Sequence, residues 1–69
     1  MQNIILNENE TSVYLAISNQ LERPNRFQQI SDEKIIEESG IEPDGLIPII
    51  KKLVLNGFIQ KENGCYRVE

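Results

Sequence analysis

Residues 43–59, PDGLIPIIKKLVLNGFI, constrain the fold more than any other part of this 69-residue chain. Leu46, Ile50 and Leu53 recur at the spacing that places three side chains on one face of a helix. Asn56 and Gly57 then interrupt the pattern, and glycine is the residue that most readily takes the left-handed conformation ending a helix. Phe58 and Ile59 open a strand immediately afterwards. A helix reversed directly into a strand must bury its stripe against neighbouring elements, so this segment is expected to lie across the front of a small core.

The leading end of that helix carries a complication. If the helix began at Pro43, Pro48 would sit in its interior, remove a backbone bond and clash with the carbonyl of Asp44, at a cost of about 3 kcal/mol. Moving the start relieves this. PDG is a turn sequence, and Asp44 is a better N-cap than Glu42. With Asp44 capping, Pro48 falls in the first turn, where backbone donors lack partners anyway. The expectation is a late-starting or kinked third helix.

Elsewhere the pattern is shorter. Ile4, Ile5 and Leu6 lack helical spacing and suggest a short strand or an arm laid on the domain. From Asn9 the chain reads as helix, with Asn9 or Thr11 capping and Val13, Ala16, Ile17 and Leu21 on one face. Tyr14 and Leu15 fall partly off that face, and Pro24 stops the run. Phe27 reads as a core plug, and Gln29 and Ile30 can supply a very short strand. Ser31 caps a second helix over about residues 32–39, which buries Ile35 and Ile36 and ends at Gly40. Near the C-terminus, FIQKENGCYRVE holds two short runs about Asn63 and Gly64, the strongest short hairpin signal there is. Strands are expected at about residues 58–61 and 65–68. No internal repeat, low-complexity tract or linker interrupts the chain, which reads as one domain: residues 1–9 an arm or strand, 10–57 three helices, 58–69 a hairpin.

Composition removes several functions. There is no histidine and one cysteine, Cys65, so the usual general base and the usual metal ligands are missing. The neighbouring acids Asp32-Glu33 and Glu37-Glu38 point in different directions on a helix, and no Gly-rich phosphate loop is present. Cys65 reads as a small apolar filler. Neither enzyme activity, a metal nor a cofactor is expected. No secretory signal and no apolar run long enough for a bilayer is visible, so a cytoplasmic protein is expected. Net charge is −4. It is unevenly spread: residues 1–42 carry eight acidic and three basic side chains, residues 43–69 three acidic and four basic.

Helix, short strand, helix, tight turn, helix, hairpin: this order resembles the winged helix-turn-helix DNA-binding family, over about residues 10–69. The resemblance is most specific in SDEKIIEESGIEPDGLIPIIKKLVLNGFI, where Gly40, Ile41, Pro43, Leu46, Ile50, Leu53, Gly57 and Ile59 follow the family pattern without a gap. It implies a mainly α fold, three helices plus a wing, a small antiparallel β-hairpin. It also implies a DNA-binding transcription regulator whose third helix enters the major groove while the wing approaches the backbone. Carried over, the contact positions are Asp44, Gly45, Ile47 and Pro48 at the helix start, Lys51 and Lys52 further along, and Lys61, Asn63 and Arg67 on the hairpin.

The residues at those positions depart from the pattern. Glu42 and Asp44 would face phosphates, Gly45 has no side chain, Pro48 has no donor, and Ile47 can meet only a thymine methyl or another apolar surface. Two functions are therefore carried forward. The first is binding of double-stranded DNA mainly through phosphates, by Lys51, Lys52, Lys61 and Arg67, with weak base readout. The second is a protein-interaction module on the same scaffold, because Ile47, Ile49 and Val54 exceed what one buried stripe can hold. A homodimer seam is compatible with either.

Overall fold

The structure is a computed structural model and describes residues 5–23 and 25–68. Three helices and a three-stranded antiparallel sheet follow one another as α1 (Glu8–Gln20), β1 (Gln28–Gln29), α2 (Asp32–Ser39), α3 (Leu46–Leu55), β2 (Ile59–Glu62) and β3 (Cys65–Val68). Strand order is β1-β3-β2.

The first helix starts earlier than its apolar pattern predicts. Asn7, not Asn9 or Thr11, is the N-cap, and residues 8 and 9 are helical rather than part of an arm. The Asn7 side chain accepts from the Glu10 backbone N–H at 2.8 Å, and the Glu10 carboxylate accepts from the Asn7 N–H at 2.9 Å. This reciprocal pair satisfies two donors at once, which a lone cap at Asn9 or Thr11 would not do. Of the expected N-terminal strand, Ile4 lies outside the described residues. Ile5 is exposed and non-helical, and Leu6 packs on the rim of the core. The helix ends at Gln20, before Pro24, which also lies outside the described residues. The turn that follows is held by one side chain. Gln28 accepts from the Glu22 N–H at 2.9 Å and donates to the carbonyls of Arg23 and Arg26 at 2.6 and 3.2 Å.

The second helix has the bounds its caps dictate. Ser31 accepts from the Lys34 N–H at 3.2 Å, and Gly40 closes the helix at φ 72°. Ile41 then turns into the core.

A 3-10 turn over Pro43–Gly45 precedes α3. It corrects the expected cap. Asp44 lies inside this turn, and Gly45 takes the capping position without a side-chain bond. The late start itself is observed: α3 begins at Leu46, so Pro48 is its third residue, within the first turn where backbone donors lack intrahelical partners. At the far end Gly57 adopts φ 78°, its N–H bonds to the Val54 carbonyl at 3.1 Å, and that of Phe58 bonds to the Leu53 carbonyl at 2.9 Å. This pair of bonds is a Schellman motif, and it aims the chain straight into β2.

The hairpin turns on Asn63 and Gly64, with φ 49° and 79°, both positive as a two-residue type I′ turn requires. It pairs Glu62 with Cys65, Lys61 with Tyr66, Gln60 with Arg67 and Ile59 with Val68. β1 joins the other edge of β3, Gln28 opposite Tyr66 and Gln29 opposite Cys65. Val13, Ile17, Ile35, Leu53, Ile59 and Tyr66 are fully buried where the three helices meet one face of this sheet. Among the described residues no helix is long and apolar enough to cross a membrane.

Candidate functional site

The fold buries Leu46, Ile50 and Leu53, and so turns another face of α3 outward. That face carries Ile47, Lys51, Val54 and Leu55: Lys51 follows Ile47 by four residues, and Val54 and Leu55 follow Lys51 by three and four, spacings that keep side chains on one side of a helix. Ile47 is 63% exposed and Leu55 84%, large values for aliphatic residues in so small a domain. Ile49, expected among the surplus apolar residues, instead packs half-buried against the core. Facing this stripe is the hairpin. Ile59 and Lys61 share one side of β2, and Ile59 enters the core, so Lys61 leans from the strand toward α3. Its ammonium lies 5.6 Å from the centre of the Tyr66 ring. Ile47, Ile50, Lys51, Val54, Leu55 and Lys61 line a groove of about 480 Å³.

The four cations carried forward as phosphate contacts, Lys51, Lys52, Lys61 and Arg67, do not share one face. Lys51 and Lys61 stand on the groove. Lys52 turns the other way, to α1, where its ammonium lies 3.0 Å from the Glu10 carboxylate. Glu10 thus caps its own helix and clamps α3 to α1. Arg67 projects from the opposite face of the sheet. It donates to the Gln60 side chain beside it and stacks over Phe27, 4.8 Å from the ring centre. Phe27 is consequently no core plug. Strand alternation puts it with Gln29 on the outer face, where it is 38% exposed beneath the guanidinium.

The remaining expected contacts are distributed around the groove's ends. Asp44 and Pro48 are exposed at the start of α3, and Gly45 is half-buried between them. A Cβ built at Gly45 meets nothing within 4 Å, so the fold does not require glycine there. Asn63 occupies the hairpin tip. The residue that sequence reasoning passed over is Leu55. It lies eight residues after Ile47 and four after Lys51, so extending the outward stripe by one turn would have found it.

Charge on the α1–α3 clamp has a pH consequence. The Glu10 carboxyl is held below its ordinary value of 4.5, first by the Asn7 backbone N–H and next by the Lys52 ammonium, with burial opposing. A depressed carboxylate stabilises the fold above its unfolded-state value and loses that contribution as pH falls through the lower folded-state value. Melting temperatures measured from neutral pH down through the carboxylate range are therefore expected to fall less steeply in Glu10→Gln than in the parent. Equal acid slopes would contradict the clamp.

Among the described residues no three acidic, histidine or cysteine side chains gather into a metal-binding group. The chain matches no protein-family model, and comparisons with curated proteins and with solved structures likewise return no match.

Proposed function

We propose that this chain is a winged-helix-type domain whose α3–hairpin face docks a protein rather than reading DNA bases. The scaffold reading is supported by the order of three helices and a hairpin, and by the two-residue first strand lying beside the last. The observation that carries the docking reading is the groove itself. Ile47 and Leu55, with the exposed part of Val54, present aliphatic surface that the fold leaves uncovered, flanked among the described residues by two cations, Lys51 and Lys61. An exposed apolar patch rimmed by polar groups is the usual mark of a protein contact.

Duplex DNA would find little here to hold. Base edges are read by donors and acceptors, and Gly45, Ile47 and Pro48 offer neither. Glu42 and Asp44 are exposed at the same end and repel phosphate. With Lys52 and Arg67 engaged elsewhere, Lys51 and Lys61 remain. Two phosphate contacts give a log–log salt slope of about −2, well short of the six to ten made by strong DNA binders.

The element order favours a second reading, a DNA-binding regulator. In it Lys51 and Lys61 touch phosphates, Ile47 meets a thymine methyl and Asp44 accepts from a cytosine amine. Titration with mixed-sequence duplex at low salt, followed residue by residue in amide spectra, separates the two. The docking reading expects no saturable response at residues 44–52 and 61–67. A saturable response there that weakens with added salt would establish the second reading in its place.

A further inference from the structure

The groove has an apolar floor, and the two charged side chains that line it among the described residues, Lys51 and Lys61, have the same sign. They project from different elements, one from α3 and one from β2. An occupant must therefore supply apolar side chains along the floor and negative charge beside it. A second copy of this chain presenting the same face would bring two more lysines to the seam, and like charges opposed across an interface disfavour it.

The occupant's backbone is limited by the shape of the face. Ile47, Lys51, Val54 and Leu55 run along more than two turns of a helix, a ridge into which the side chains of another helix interdigitate. Entry as an added strand would use the outer edge of β2. That edge is only four residues long and ends in Lys61 and Glu62, and charged residues on a short edge strand discourage pairing. Helix-in-groove recognition reads apolar anchors at i, i+3 or i+4, and i+7.

Resting on the docking reading above, we infer that the groove receives an amphipathic helix of a partner protein. Apolar anchors of that helix lie between α3 and the hairpin, and its carboxylates pair with Lys51 and Lys61. Acidic flanks on the partner would also account for a basic pair at this spot in a chain that is acidic overall.

The probe is a helix-stabilised synthetic peptide with leucines at i, i+4 and i+7 and glutamates on both flanks. A second peptide has lysine at every glutamate, and a third has the leucines scrambled. Binding is followed by amide shifts in the full chain. The glutamate peptide is expected to shift residues 47–55 and 61 saturably, and the scrambled one not to. Ile47→Asp with Leu55→Asp should weaken it at least on the order of tenfold; both positions are exposed, and an unchanged melting temperature verifies that the fold survives. Lys51→Glu with Lys61→Glu should weaken the glutamate peptide on the order of tenfold and restore binding of the lysine peptide.

The other outcomes each decide against the inference, and they fall apart cleanly. Equal binding of both charged peptides at the groove overturns the acidic partner while leaving the docking reading in place. No peptide response, with concentration-dependent shifts at residues 47–55, assigns the face to a second copy. No peptide response, with duplex DNA shifting those residues, overturns both.

Discussion

Tyr66→Ala is expected to leave the chain unfolded at room temperature. Tyr66 is the largest fully buried side chain, and it sits on β3, the central strand, with partners on both sides. Replacing a buried aromatic by alanine costs about 3–5 kcal/mol through lost transfer energy and the cavity left behind. A single core in a chain of this size supplies about 3–5 kcal/mol in total. The two magnitudes match, so nothing remains to hold the fold. Tyr66→Phe isolates the ring from the hydroxyl. The hydroxyl reaches Asp32 only at 3.5 Å, the outer limit of a hydrogen bond, so its loss should cost less than about 1 kcal/mol. Burial first, and the Asp32 charge second, push the phenol up to about 12. The neutral form is thus the one that fits the core. Its stabilising contribution is complete below the ordinary value of 10.0 and fades as pH rises toward 12. Chemical denaturation followed by far-ultraviolet circular dichroism decides the matter. A cooperative transition in Tyr66→Ala within about 1 kcal/mol of the parent would mean that the core is not centred on β3.

The parts of this fold that were legible in the sequence are those fixed by a single local device. Ser31 and Gly40 bracket α2 so tightly that its bounds follow from two residues. Gly57 ends α3, and Asn63 with Gly64 makes the hairpin, because each supplies a positive φ where the chain must turn. The start of α1 was legible too, in Asn7 and Glu10 at capping-box spacing, but the competing caps Asn9 and Thr11 lie closer to the apolar pattern. The fate of Asp44 was not legible. A 3-10 turn and a capped helix start share the same PDG signature, and Leu46, the residue after it, is buried in either case.

The candidate site divides in the same way. Lys61 and Arg67 lie on opposite faces of the sheet, and this follows from the two-residue turn alone. Pairing Glu62 with Cys65 places Lys61 opposite Tyr66 and leaves Arg67 on the other side. Lys52 had no such signal. Its partner Glu10 is 42 residues away, and only the packing of α3 on α1 brings them together. The four cations lie apart because charge density along the chain does not fix direction, which is set by register and by tertiary contacts.

Leu53→Ala and Leu55→Ala should differ by several kcal/mol although the residues are two positions apart. Along a helix that separation is a rotation of about 200°, which carries one side chain into the core and the other to water. Leu53 is fully buried with Ile17, Ile35 and Ile59, and Leu55 is 84% exposed. The first substitution should cost about 2–5 kcal/mol, the range for buried leucines, and the second should stay within about 0.5 kcal/mol. Midpoints from denaturant titrations of the two variants measure this directly, and a cost above about 1 kcal/mol at Leu55 would place that side chain in the fold's own packing. The comparison bears on function because it separates two reasons for an aliphatic residue. If alanine at 55 and polar residues at 47 and 54 all leave stability untouched, folding gives no reason for an apolar stripe on the outer side of α3. An unbound apolar stripe raises the hazard of aggregation, so what remains to explain it is a contact made after folding. On the docking proposal, a variant carrying these substitutions together is expected to keep its structure and to lose binding between α3 and the hairpin.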